Sequence, residues 1–185
     1  MAIQLPTVLS HARFAPVSDW LSRPLCCRYA FAEFKVLNLP IRHSDTVEQA
    51  RWLWAVGLFE QDQYEILGAW SDQTPLAEVA HDLHKRGIEQ ITAIAAERVA
   101  DFASLHPTVQ WSAAADGVNA LRLRTGADSG RQRRVVLQSA ATTAERLHKS
   151  ITRAIRRRAP FEDEVAAAAF LAQALEKADR RLYAT

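Results

Sequence analysis

Cysteine is nearly missing: the 185 residues contain only Cys26 and Cys27, which are adjacent. Neighbouring cysteines are poorly placed to bridge each other, so no disulfide framework is expected and a reduced, cytoplasmic setting fits. No apolar stretch approaches the ~18 residues that a membrane-spanning helix needs, so no membrane association is expected. The start has no basic segment leading into an apolar block, and hence no secretory signal. None of the six glycines builds a phosphate-cradling loop or a Gly-x-Ser-x-Gly turn, and no small-molecule substrate is evident. Repeats and low-complexity tracts are also lacking. The length suits one domain with a real core.

Charge is where the sequence becomes informative. The formal net charge is only +2, but it is unevenly spread. Between Arg122 and Arg158, eleven Lys/Arg face only Asp128 and Glu145, a balance of +9; the rest carries 12 Lys/Arg against 19 Asp/Glu. A localised basic region can bind polyanions while the whole chain stays near neutral.

Residues 1–25 hold Pro6, Pro16 and Pro24 and read as a loose arm with a short helix near Trp20. RYAFAEFKVLNL (28–39) alternates and is rich in aromatics, which predicts a strand. HSDTVEQA (43–50) reads as a polar turn, RWLWAVGLFE (51–60) as a second strand and QYEILGAW (63–70) as a third. The last two are joined at hairpin distance. Thr74 is placed to cap a helix with Pro75 at its first position, and Gly87 to end it. IEQITAIAA (88–96) predicts one continuous buried strand. VADFASLH (99–106) predicts a short helix, and VQWSA (109–113) a fifth strand. Residues 117–132 read as irregular. Residues 140–158 and 162–182 predict two final helices separated by Pro160. Three antiparallel strands, then parallel ones, with helices on the faces and a C-terminal helix pair, are the plan of an RNase H-like α/β domain over residues 26–185.

Several landmarks, in the same order, resemble the catalytic region of mutator-type bacterial transposases, insertion-sequence enzymes with a DDE carboxylate triad. Trp20 with RPLCCRY is similar to the family's approach to its first strand, and EILGAW (65–70) to its third strand. LHKRGIEQITAIAAERVADF is similar to the segment that carries the second Asp. TAERLHKSITRAIRRRAPFEDEVAAAAFLAQALEKADRR is similar to the final helix pair. The resemblance spans about residues 20–181. It sets Lys35 at the first catalytic position, with Glu33 as the alternative under a two-residue gap, Glu97 at the second and Glu145 at the third. The family's Cys/His pair and long helical insertion have no counterpart, since only 47 residues lie between Glu97 and Glu145. Members of the family carry a DNA-binding region upstream of the core, and the expectation from the resemblance is that this chain begins almost at the core.

The resemblance therefore implies a transposase ancestry with a triad that reads Lys, Glu, Glu. Two-metal strand transfer needs close carboxylate ligands, and an ammonium in their midst repels the ions. The expectation is a catalytically silent, transposase-derived protein with no cofactor. Mg2+ is implied only if Glu33, Glu97 and Glu145 still form a working set. Lys35 is expected to stand in for the lost ions by pairing with Glu97 and Glu145.

Plainer roles stand beside these. Glu145 precedes Lys149 by four residues, a favourable helical pair, and Glu97 suits a helix N-terminus. His81 and His84 lack further zinc ligands. Trp52, Trp54, Trp70 and Trp111 read as packing residues. For DNA, the candidate contacts are Arg131, Arg133, Arg134, Arg146, Lys149, Arg153, Arg156, Arg157 and Arg158, with Leu147, Ile151 and Ile155 as the apolar seam between them. The alternative in another class is a dimerisation module, in which the Ala-rich stretch from Val165 to Ala178 packs on a copy of itself.

Overall fold

The computed structural model describes residues 18–59, 63–91, 93–96, 110–113 and 130–183. In chain order it contains α1 (Ser18–Leu21), β1 (Arg28–Tyr29), β2 (Phe31–His43), β3 (Thr46–Leu58), β4 (Tyr64–Ser71) and α2 (Leu76–Lys85). Then come β5 (Gln90–Ile91), β6 (Ala93–Ala96), β7 (Gln110–Ala113), α3 (Gly130–Arg158) and α4 (Glu164–Leu182). Five strands form one mixed sheet in the order β4-β3-β2-β6-β7. The first three are antiparallel, and β6 and β7 continue the sheet in parallel with β2. Strands β1 and β5 make a small parallel pair of their own.

Alternation along β2 decides what covers each face of the sheet, because successive side chains point to opposite sides. Leu37, Leu39 and Ile41 join Trp54, Val56 and Ile66 in a core with Leu147, Ile151 and Ile155 of α3 and Leu171 and Leu175 of α4. The intervening positions Ala32 and Phe34 pack with Ala55, Leu67 and Trp70 against Val79 and Leu83 of α2. Each fully buried aliphatic chain contributes roughly 1.5–3 kcal/mol, so the two cores together fix the three layers. Among the described residues, no helix is long and apolar enough to cross a membrane.

Several sequence expectations are corrected. The stretch 43–50 is mostly strand: β2 and β3 pair through His43↔Thr46, which leaves only Ser44 and Asp45 as the turn. Ser44 takes φ 50, a conformation short polar residues tolerate. Helix α2 begins one residue later than expected; Pro75 is its N-cap and Thr74 makes no capping bond. The continuous strand of 88–96 is divided, because Gln90–Ile91 pairs with β1 while Ala93–Ala96 belongs to the main sheet. Helix α3 starts at Gly130, ten residues before the expected boundary, so the last part of 117–132 is helical. Gly87 does end α2, at φ +107. The expected helix at 99–106 lies outside the described residues.

A β-bulge bends β4. Ala55 pairs with Gly68 and Val56 with Ile66, so Leu67 is the extra residue. Gly68 is required there: a Cβ would lie 2.9 Å from Trp70 Cζ2 and 3.1 Å from Arg86 Nη1. The strand is also an edge, whose outward backbone groups need partners. Charged side chains supply them. Asp179 accepts from Ile66 N at 2.6 Å, Arg23 donates to Ile66 O at 2.7 Å, and Arg86 donates to Leu67 O at 2.6 Å.

Candidate functional site

Glu33 and Lys35 alternate onto the α3 face of β2, and Trp54 sits directly across from Lys35 on β3. Helix α3 lowers Glu145 onto the same spot because Ala144 and Leu147 anchor that turn in the core. Lys35 Nζ lies 3.1 Å from Glu33 Oε1 and 3.1 Å from Glu145 Oε2, joining groups 110 residues apart. Glu145 also reaches Lys149 at 3.4 Å, the expected helical pair. One turn along, His148 Nδ1 accepts from Trp54 Nε1 at 3.3 Å, with the two ring planes nearly parallel.

Burial and charge pull this trio in different directions. Burial raises the Glu33 carboxyl above its ordinary value, and the Lys35 charge only partly offsets that. Burial pulls Lys35 down, but Glu33 and Glu145 outweigh it, and the ammonium titrates above its ordinary value. The hydrogen bond and charge of Lys35 hold Glu145 below the usual carboxylate range. Glu33 Oε2 is buried and has no hydrogen-bond partner among the described residues. The expected Lys35–Glu145 pair therefore forms, with Glu33 as the second acid. Glu97, the other expected partner of Lys35, lies outside the described residues.

Among the described residues, no group of three or more His, Cys, Asp or Glu side chains is arranged to hold a metal ion. One oxygen each of Glu33 and Glu145 is turned onto the Lys35 ammonium, which occupies the space between the two carboxylates. Two unit positive charges about 4 Å apart repel by about 4 kcal/mol at an effective dielectric of 20, and a doubly charged ion by about twice that.

The outer side of α3 is different in kind. Arg146, Lys149, Arg153, Arg156, Arg157 and Arg158 are all exposed, while Leu147, Ile151 and Ile155 face the sheet. Among the described residues none of the five arginines has an ion pair, and Glu145 is the lone acid that reaches Lys149. Spacings of three and four residues place Arg146, Lys149, Arg153 and Arg156 along one stripe. At 1.5 Å per residue that stripe is about 15 Å long. Arg131, Arg133 and Arg134 lie in the first turns of α3, with side chains outside the described ones.

A second polar cluster escaped the sequence reading. Glu65 accepts from Tyr29 OH, from Cys26 N at 3.2 Å and from Tyr183 OH at 3.4 Å, and Arg23 lies 3.5 Å from it. Arg23 also bridges to Asp179 at 3.2 Å. Burial raises the Asp179 carboxyl despite its bond to Ile66 N and the nearby Arg23. Burial and the Glu65 charge push Tyr183 up to about 12. Arg86 is lowered by burial, partly offset by Asp82 at 3.4 Å. One signal for this cluster was available: Asp179 continues the buried helical row of Leu171, Leu175 and Ala178.

Three of the four tryptophans pack as read from the sequence: Trp54 is fully buried, Trp70 nearly so, and Trp52 rests against the core, while the side chain of Trp111 lies outside the described ones. His84 contacts Ile88 O at 3.2 Å. In the Ala-rich stretch expected to self-associate, Ala167, Ala168, Ala172 and Ala178 are buried within this chain. No protein-family model matches this chain, and no curated protein matches it.

Proposed function

We propose that this chain is a transposase-derived, RNase H-like domain that has lost metal chemistry and binds DNA through the outer face of α3. The arginines of that stripe, which have no ion pair among the described residues, carry the reading. A fold that needs guanidinium groups for its own stability pairs them, as it does Arg23 and Arg86. Arginines left in solvent, in register along a helix and without an ion pair among the described residues, suit a row of phosphates.

Ancestry is supported by two juxtapositions. The sheet runs from three antiparallel strands into two parallel ones with helices on both faces, as an RNase H-like plan requires. Lys35 and Glu145, set by the resemblance at the first and third catalytic positions, meet at 3.1 Å. The catalytic position is silent because an ammonium holds the carboxylates that ions would need. Binding is sequence-tolerant along α3, since phosphate contacts position a protein without reading bases.

Electrophoretic or fluorescence titration of a random-sequence duplex tests this. Wild type binds, and Arg153→Gln/Arg156→Gln/Arg157→Gln weakens binding at least tenfold at 50 mM salt. Equal affinity of the two proteins refutes the placement on α3.

A further inference from the structure

The β2–β3 ribbon outruns its neighbours. Among the described residues, β4 pairs with β3 only from Trp52 onward, and β6 pairs with β2 only over Ala32–Phe34. Past these limits one ribbon face still packs on α3 and α4 through Leu37, Leu39 and Ile41. The other face carries the cross-strand pairs Asn38↔Arg51, Pro40↔Gln49 and Arg42↔Val47. Asn38, Arg42, Val47, Gln49 and Arg51 on it are all exposed, Val47 by 52%.

The chemistry of this face is one-sided. It holds two guanidinium groups and two amides but no carboxylate along the ribbon: Asp45 is in the turn, and Glu48, opposite Ile41, belongs to the other face. Asp72, at the end of β4, braces Arg51 at 3.1 Å. Asn38, Arg42 and Gln49 have no side-chain partner among the described residues. Arg and the amides are the side chains whose forked donors and acceptors match guanine and adenine edges in the major groove, which admits a two-stranded ribbon. Same-face residues along a strand are about 6.7 Å apart, close to two base steps of about 3.4 Å. The packed reverse face keeps the ribbon rigid.

We infer that this ribbon face is a base-reading surface for duplex DNA, giving sequence preference to a protein whose affinity comes from α3. The inference rests on the DNA-binding reading above and deepens it. Its occupant is DNA because the face offers positive charge and hydrogen-bond donors, which a polyanion with patterned edges complements.

Selection from a randomised duplex pool, with wild type and Asn38→Ala/Gln49→Ala in parallel, tests it. Wild type enriches a motif. The double variant keeps its affinity for the unselected pool within about twofold and keeps its melting temperature, but loses at least tenfold of its preference for the motif over a scrambled duplex. Arg42→Ala, on the same face, gives a similar loss. Undiminished preference in both variants, or no enriched motif with wild type bound to the pool, overturns the ribbon assignment alone. Failure of wild type to retain any duplex overturns this assignment and the α3 reading together.

Discussion

The sheet-facing interior and the outer side of α3 use positive charge in opposite ways. Inside, Lys35 holds two carboxylates, Arg23 bridges Asp179 and a backbone carbonyl, and Arg86 caps Leu67 O. Outside, Arg146, Arg153, Arg156, Arg157 and Arg158 meet no acid among the described residues. The contrast teaches which charges the fold depends on and which it leaves for a partner. It also separates two kinds of interior cluster. The Lys35 trio joins one helix to one strand beneath solvent, whereas the Arg23–Glu65–Asp179 set seals a bulged sheet edge and draws in three distant segments.

The contrast can be broken by mutation. Asp179→Ala removes the acceptor of Ile66 N and leaves Arg23 half-paired, and costs about 3–5 kcal/mol in denaturant unfolding. Asp179→Asn keeps an acceptor oxygen and costs clearly less; equal losses would mean that charge, and not the edge bond, is what matters. Lys35→Met strands a buried Glu33 and costs about 2–3 kcal/mol at pH 7. An unchanged melting temperature for Lys35→Met would remove the ammonium from the fold's supports.

The Lys35 effect carries a sign with pH. Glu145 is depressed, so its contribution is present above the ordinary value of 4.5 and is lost as pH falls through the folded value. Lys35 is raised, so its contribution is complete below 10.5 and is lost as pH rises through the folded value. Glu33 is raised, so its burial penalty also fades in acid, on going below its folded value. The stability gap between wild type and Lys35→Met therefore narrows in acid, and unfolding curves at pH 3 and pH 7 check this. Glu145→Gln, half in solvent, costs only about 0.5–1 kcal/mol because water screens the pair. The smallest stability effect belongs to Arg153→Gln/Arg156→Gln/Arg157→Gln, no more than about 1 kcal/mol from lost interaction with the helix end. A larger loss would place those arginines among the supports and dissolve the contrast.

Legibility in the sequence followed locality. The three-strand meander, the final helix pair and the seam of Leu147, Ile151 and Ile155 show in local alternation and helical spacing. HSDTVEQA was misread because a ribbon strand exposed on its edge and outer face has no apolar rhythm to betray it. The first ten residues of α3 were missed for a related reason: GRQRRVVLQS opens with glycine and a polar run. The division of 88–96 depends on β1, some sixty residues away, which no local pattern reveals. In the site, the Lys35–Glu145 pair was anticipated, but Glu33 was seen only as a substitute ligand and not as a partner of Lys35. Asp179 and Ile66 meet across 113 residues, and only the row of buried positions in α4 hinted at it.

The claim that solvent-facing arginines of α3 bind phosphates is tested most directly by the salt dependence of duplex affinity. Each phosphate neutralised adds about 0.9 to the magnitude of the slope of log affinity against log salt. The account predicts a steep slope for wild type that becomes shallower by about 3 in Arg153→Gln/Arg156→Gln/Arg157→Gln. Affinity that does not change with salt, or a slope identical in the two proteins, would contradict it.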